Sequence, residues 1–366
     1  MRLSSILSAA LLVLAKVADA APTTEQLTDL FSASSVQART TTLVRKEWRN
    51  LTKAERLSYI KAFKCLQSKP ARFKNLYPGS RTRYDDYQAL HISMTEKIHF
   101  TGIFLPWHRQ YVALFEQDLR NTCGYSGAQP YWDWSKDAGS LDAWAKSPLF
   151  DPVYGFGGNG AYIEDITGLP VTAALEIPGR TGGGCVTTGP WANLVVPMGP
   201  GNNLSYNPHC LRRDFSPTLA KLTLNSSVLS WVQQANAYAL YDRRVQSMEL
   251  SIAGIATHGG GHFSVGGAVG EMSEMYSSPG DPIFWMHHGM LDNMWNQWQR
   301  LNWSVRKAEI AGPDTMWAYP WNYFGDIPYK NITINTPLSF GPLGSTVNIS
   351  QVMDISCAPL GPYRYA

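Results

Sequence analysis

Residues 257–263 read Thr257-His258-Gly259-Gly260-Gly261-His262-Phe263. Two histidines four apart put both imidazoles on one face of a helix. The three residues between them are glycines, and each glycine inside a helix costs about 1 kcal/mol relative to alanine. A chain that keeps this histidine face over such poor helix formers needs the space the glycines leave. That space serves either an open site beside the histidines or tight packing against a neighbouring element.

The chain has eight histidines. Seven fall into two groups: His91, His99 and His108, then His258, His262 and the adjacent pair His287-His288. His209, in NPHC, stands apart and reads as a surface or turn residue. Helical signals bracket both groups. Thr52-Lys53-Ala54-Glu55 is a capping box, followed by Leu57, Ile60 and Phe63 at helical spacing until Pro70. A second helix is predicted over 84–95, with His91 on its apolar face. A third runs from Pro106 to about Arg120, a fourth over about 228–256 and on through the glycines, and a fifth from Pro282 to about Asn302. Residues 138–215 are rich in glycine, proline and turn signals, and the tail 311–366 alternates short β-prone pieces with prolines. The expected fold class is mainly α: a helical bundle core carrying a metal site between facing helices, with long irregular loops and a few short β pieces.

Apolar helix faces that collect imidazoles point to a metal. A zinc protease needs glutamate directly after the first histidine of His-x-x-x-His, and Gly259 stands there. Di-iron bundles use Glu-x-x-His pairs, which the histidine-bearing helices lack. Six neutral imidazoles with no evident carboxylate ligand suit copper, and two groups of three suggest two ions.

Two longer stretches carry a resemblance. His99-Phe100-Thr101-Gly102-Ile103-Phe104-Leu105-Pro106-Trp107-His108-Arg109, with Glu116 beyond, resembles the first copper signature of the tyrosinase and catechol oxidase family. Asp281-Pro282-Ile283-Phe284-Trp285-Met286-His287-His288, with Asp292 beyond, resembles the second. The likeness extends over roughly residues 40–366 and implies a binuclear (type-3) copper centre. Carried over by motif, His91, His99 and His108 hold the first copper and His258, His262 and His288 the second, while His287 is a hydrogen-bonded neighbour. The family activity is oxidation of o-diphenols to o-quinones by dioxygen, and tyrosinases also hydroxylate monophenols.

The resemblance also implies roles outside the ligand set. Glu249, nine residues before His258, is expected to position a water. Family members efficient on monophenols often carry asparagine where Gly259 stands, so the expected activity is oxidation of o-diphenols or o-aminophenols. A monophenol-hydroxylating tyrosinase is the alternative, and an oxygen carrier like the haemocyanins a weaker one. No cysteine precedes His99 closely, so no thioether to that ring is expected. Tyr363-Arg364-Tyr365 resembles the motif that closes the family's catalytic domain, so no lid domain is expected, and Arg45 is the candidate to pack on these tyrosines. Phe263 and the loop 264–280, with Met272, Met275 and Tyr276, are expected near the entrance.

Composition sets the compartment and the excluded partners. The chain has 366 residues, 44% of them hydrophobic, and a formal net charge of +3. No basic run supports nucleic-acid binding. Arg2, the apolar run that follows and Ala18-Asp19-Ala20 read as a secretory signal peptide over 1–20, leaving 21–366 as a single catalytic domain. The expected location is outside the cell or in the secretory lumen, without stable membrane insertion. Sequons at Asn50, Asn203, Asn225, Asn302, Asn331 and Asn348 agree with this. In an oxidising compartment Cys65, Cys123, Cys185, Cys210 and Cys357 favour disulfides. Five is odd, so at least one thiol stays unpaired, and the pairing is not legible.

Overall fold

The computed structural model describes residues 42–366 apart from 172, 174 and 360. The expected signal peptide over 1–20 and the expected start near Ala21 lie outside the described residues. Eight helices carry the architecture: α1 Lys53–Ser68, α2 Arg83–Ile98, α3 Phe104–Cys123, α4 Pro217–Thr223, α5 Ser226–Gln233, α6 Tyr238–Gln246, α7 Thr257–Gly266 and α8 Ile283–Leu301. Six short strands pair two by two. β1 Leu43–Arg45 lies parallel to β6 Tyr363–Tyr365, β2 Val195–Val196 antiparallel to β3 His209–Cys210, and β4 Pro337–Leu338 antiparallel to β5 Val347–Asn348. The fold is mainly α, as its residues predict.

Helix starts follow the local chemistry. The Thr52–Glu55 capping box forms in both directions at 2.7 and 3.2 Å, and a second box, Thr82–Asp85, opens α2. Pro106 is the third residue of α3 rather than its start. It is tolerated there because a first-turn N–H has no helical acceptor to lose. Gly124, at φ +67°, ends the helix in the left-handed conformation.

The fourth helix, expected as one piece over 228–256, breaks into α5, α6 and an irregular segment before α7. Serine chemistry explains why α6 ends at Gln246 and does not run on into α7. Ser247 Oγ donates to the carbonyl of Glu249, and Ser251 Oγ accepts from the N–H of Gly254. Such bonds compete with helical ones. Glu249 therefore sits in a turn and not on the helix of His258.

α3 and α8 form the centre and are buried almost all round. Phe115 stacks on Trp285 at 3.7 Å and 12°, which locks the two ligand-bearing helices in register. Polar anchors fix them further. Arg45 donates to Glu116 at 2.6 Å and to Asp292 at 3.1 Å, and lies 3.7 Å over the Tyr363 ring, as the family resemblance implies. Arg109 also donates to Asp292, as do Tyr363 and Tyr365 through their hydroxyls. Burial alone would raise the Asp292 carboxyl, but Arg109 and Arg45 outweigh it and hold it below the usual range.

The long connection 138–215 is irregular, yet it is tied down. Cys185 is bonded to Cys210, and Arg213 makes a two-pronged pair with Asp281 at 2.7 and 2.9 Å just ahead of α8. Cys65 is bonded to Cys123, joining α1 to the end of α3. Cys357 is the exposed free thiol. Among the described residues no helix is long and apolar enough to cross a membrane.

Candidate metal centre

His91 lies in α2, His99 caps its C-terminus, and His108 lies in the second turn of α3. His258 and His262 lie on α7, and His287 and His288 on α8. The fold gathers each set into a cluster, and within each cluster the ligand atoms lie within 4.8 Å of one another. His99 faces His258 at 5.8 Å between ring centres, and His108 stacks on His288 at 4.5 Å.

Hydrogen bonds assign the tautomers. The Nδ1–H groups of His91, His99, His108 and His262 donate to the carbonyls of Tyr276, Thr95, Phe104 and Met272, at 2.7 to 3.0 Å. A neutral ring that donates through Nδ1 presents a bare Nε2. The Nε2 atoms of His91, His108 and His258 are buried without a partner, and so is Nδ1 of His288. His262 Nε2 faces His288 Nε2 at 3.2 Å. Unpartnered buried nitrogens are costly unless a cation satisfies them. Burial lowers the pKa of every ring in the two clusters, to about 4 for His99 and about 3 for His262, so the rings stay neutral. Neutral, preoriented imidazoles fit a copper pair.

His287 belongs to the second cluster by distance alone. Its Nδ1 accepts from the Trp134 indole at 3.1 Å and its Nε2–H donates to the His258 carbonyl at 3.1 Å. Both nitrogens are engaged, so His288 is the member of the pair left to bind a metal. His209, read as a surface or turn residue, instead sits half-buried in β3, 3.2 Å from Glu271. Cys65 is held by Cys123 and is not available to His99.

The three glycines of α7 differ in role. A Cβ on Gly260 would lie 2.5 Å from Thr223 Oγ1 of α4, and one on Gly261 would lie 2.2 Å from the His287 ring. These two serve tight packing. Gly259 lines an apolar cavity of about 210 Å³ that touches His99, His258 and His262. Phe263, Met272 and Met275 also line it, as expected, and the exposed Glu249 lies at its rim, its carboxylate accepting from Ser251 at 2.6 Å.

The aromatic wall of this cavity was not legible. Phe100 stacks on Trp317 at 3.8 Å and 25°, and both residues have positive φ, +50° and +64°. Such conformations cost about 1–3 kcal/mol each and persist where the surroundings overdetermine them. Here Gln246 accepts from the Phe100 N–H and donates to the Thr101 carbonyl, while the Tyr238 hydroxyl donates to the Gly102 carbonyl. Trp134 was also missed, and so were the carbonyls of Met272 and Tyr276. A main-chain acceptor has no residue signature, and an isolated tryptophan announces no partner.

Comparison with known proteins agrees with this geometry. Residues 81–301 match the common central domain of tyrosinase. The chain is 37% identical to N-acetyl-6-hydroxytryptophan oxidase ivoB of Emericella nidulans, an alignment covering 85% of this chain and 89% of that one. It is 34% identical to tyrosinase P of Aspergillus terreus, covering 88% and 91%. A mutant polyphenol oxidase from Thermothelomyces thermophila superposes with a TM-score of 0.77 at 33% identity, covering 93% of this chain and 94% of that one. The chain belongs to the tyrosinase family and is a copper oxidoreductase.

Proposed function

We propose that this chain is a secreted o-diphenol oxidase, acting on catechols or o-aminophenols, in which His91, His99 and His108 hold one copper ion and His258, His262 and His288 a second. The observation that carries this reading is the convergence of bare, buried imidazole nitrogens beside an apolar cavity that Gly259 lines. When bound, copper supplies dioxygen activation and electron transfer. In the balanced reaction two diphenols each lose two electrons and two protons, and one dioxygen becomes two waters.

The chain's own groups do the rest. The apolar walls receive the ring of a small phenol and exclude bulk water from it. Carbonyls on Nδ1 keep the histidine rings aimed. Glu249, an exposed carboxylate at the rim, orders a water there. Gly259 contributes no side chain to share that water and help deprotonate a monophenol, so diphenols are favoured. The Emericella relative is an N-acetyl-6-hydroxytryptophan oxidase, in keeping with a small hydroxyaromatic substrate here.

Two disulfides support a secretory route. Residues 21–366 would then act as one catalytic domain after removal of 1–20. Oxygen uptake by the copper-loaded protein, given catechol and phenol in parallel, tests the reading. Uptake with catechol alone is expected. Equal, prompt uptake with phenol would make the chain a monophenol-hydroxylating tyrosinase, and tight oxygen binding without turnover would make it a carrier.

A further inference from the structure

The cavity beside the histidines is small. An apolar cavity of about 150 Å³ holds benzene, so one of about 210 Å³ takes a single substituted ring and not two. A wider trough of about 960 Å³ adjoins it. The two share Met275, Trp317 and Phe324, which form a sill between them.

The sill is a built feature. Trp317 is held in a left-handed conformation against Phe100. Phe324 packs edge-on against Trp317 at 5.4 Å and yet remains 67% exposed. Beyond the sill, the trough is floored by the outer face of α2, from Ile92 and Ser93 to Glu96 and Lys97, and walled by Leu204 and Tyr276. The Tyr276 hydroxyl donates to Glu96 at 2.8 Å, which fixes that ring in place. Three aromatic rings therefore line a space that borders, across Met275, Trp317 and Phe324, the one that receives the reacting phenol.

We propose that this trough is a second aryl subsite, which binds the distal aromatic group of a two-ring phenolic substrate while the phenolic ring occupies the cavity beside the histidines. The proposal rests on the phenol-oxidase reading of the first cavity. It commits to an aromatic occupant because the sill and one wall offer ring faces and edges. The charged rim, with Glu96 and Asp314 against Lys97, carries no strong bias towards an anionic tail.

Binding of slowly oxidised meta-diphenols separates the two ideas. Calorimetry on the copper-loaded protein compares resorcinol with 4-benzylresorcinol. The two-ring compound is expected to bind about fivefold tighter, the advantage of one aromatic contact. Phe324→Ala removes one aromatic ring of the sill and Leu204→Ala trims the trough wall, and each should bring the ratio of the two dissociation constants towards one. Equal affinities in the unaltered protein would overturn the subsite. So would an advantage that survives both substitutions, since the second ring would then lie elsewhere. Catechol oxidation is a separate readout: its absence would defeat the phenol-oxidase reading, while the binding ratio still decides the subsite.

Discussion

The two histidine groups are built differently. In the first, all three rings have Nδ1 held by a main-chain carbonyl, from Tyr276, Thr95 and Phe104. In the second, among the described residues only His262 has such an anchor. His258 and His288 are placed by packing, and His258 also through its carbonyl, which His287 grips. The first group is thus oriented by local helix geometry, two of its acceptors lying four residues upstream. The second depends on elements distant in sequence, including Trp134 and the 270s loop. One loop serves both, because Met272 and Tyr276 each accept from one group. Rings oriented by covalently near carbonyls hold their aim with little help from the fold, and rings oriented by packing hold it only while the packing is intact.

The largest test of this contrast removes the one anchored ring of the second group. His262→Ala should lose at least half the bound copper and lower oxygen uptake by at least about 100-fold, beyond what loss of an outer partner costs. Full copper content and activity in this variant would rule out its ligand role.

Acid tests both groups at once. Unfolding returns each ring to its ordinary value near 6.5. Burial lowers the folded-state values, to about 4 for His99 and about 3 for His262. Between those limits the unfolded chain binds protons that the folded chain does not, so stability falls as pH drops through this window. The metal-free protein should therefore have a lower denaturation midpoint at pH 5 than at pH 7.5. A midpoint that does not move with pH would show that the rings are not held neutral by burial.

A smaller effect separates the groups. Trp134→Phe removes the donor that fixes the His287 ring and, through it, the His258 carbonyl. Copper should leave the second group about 10-fold faster in a chelator challenge, with release from the first group unchanged. Equal acceleration at both would mean that Trp134 acts on the whole core. The smallest expected change comes from Gly259→Asn, which should raise the monophenol-to-diphenol rate ratio a few-fold. Its Cβ would meet Ile255 Cγ2 at 2.8 Å, so that side chain must shift. A ratio that stays put would remove Gly259 from the account of selectivity.

Much of the centre was legible because its signals are local. His-x-x-x-His on α7, the helix signals around His91 and His108, and the capping box at Thr52 each act within a turn or two. Arg45 against Tyr363 was legible through the family resemblance. The long fourth helix was misread because side-chain to main-chain bonds at Ser247 and Ser251 outcompete helix continuation, and apolar periodicity does not register them. The glycines were read as serving either an open site or tight packing. The fold divides them instead between α4, the His287 ring and the cavity.

By itself the sequence determined a mainly helical chain with two sets of histidines on apolar faces, because helical spacing and imidazole chemistry are properties of neighbouring residues. Only the tertiary structure decided which of His287 and His288 keeps a bare nitrogen, since that depends on Trp134 and on a carbonyl 29 residues away in sequence. It also decided that Phe100 and Trp317 stack to line the cavity beside the histidines. Tautomers and cavity walls are set by contacts between distant segments, and such contacts exist only once the chain has closed on itself.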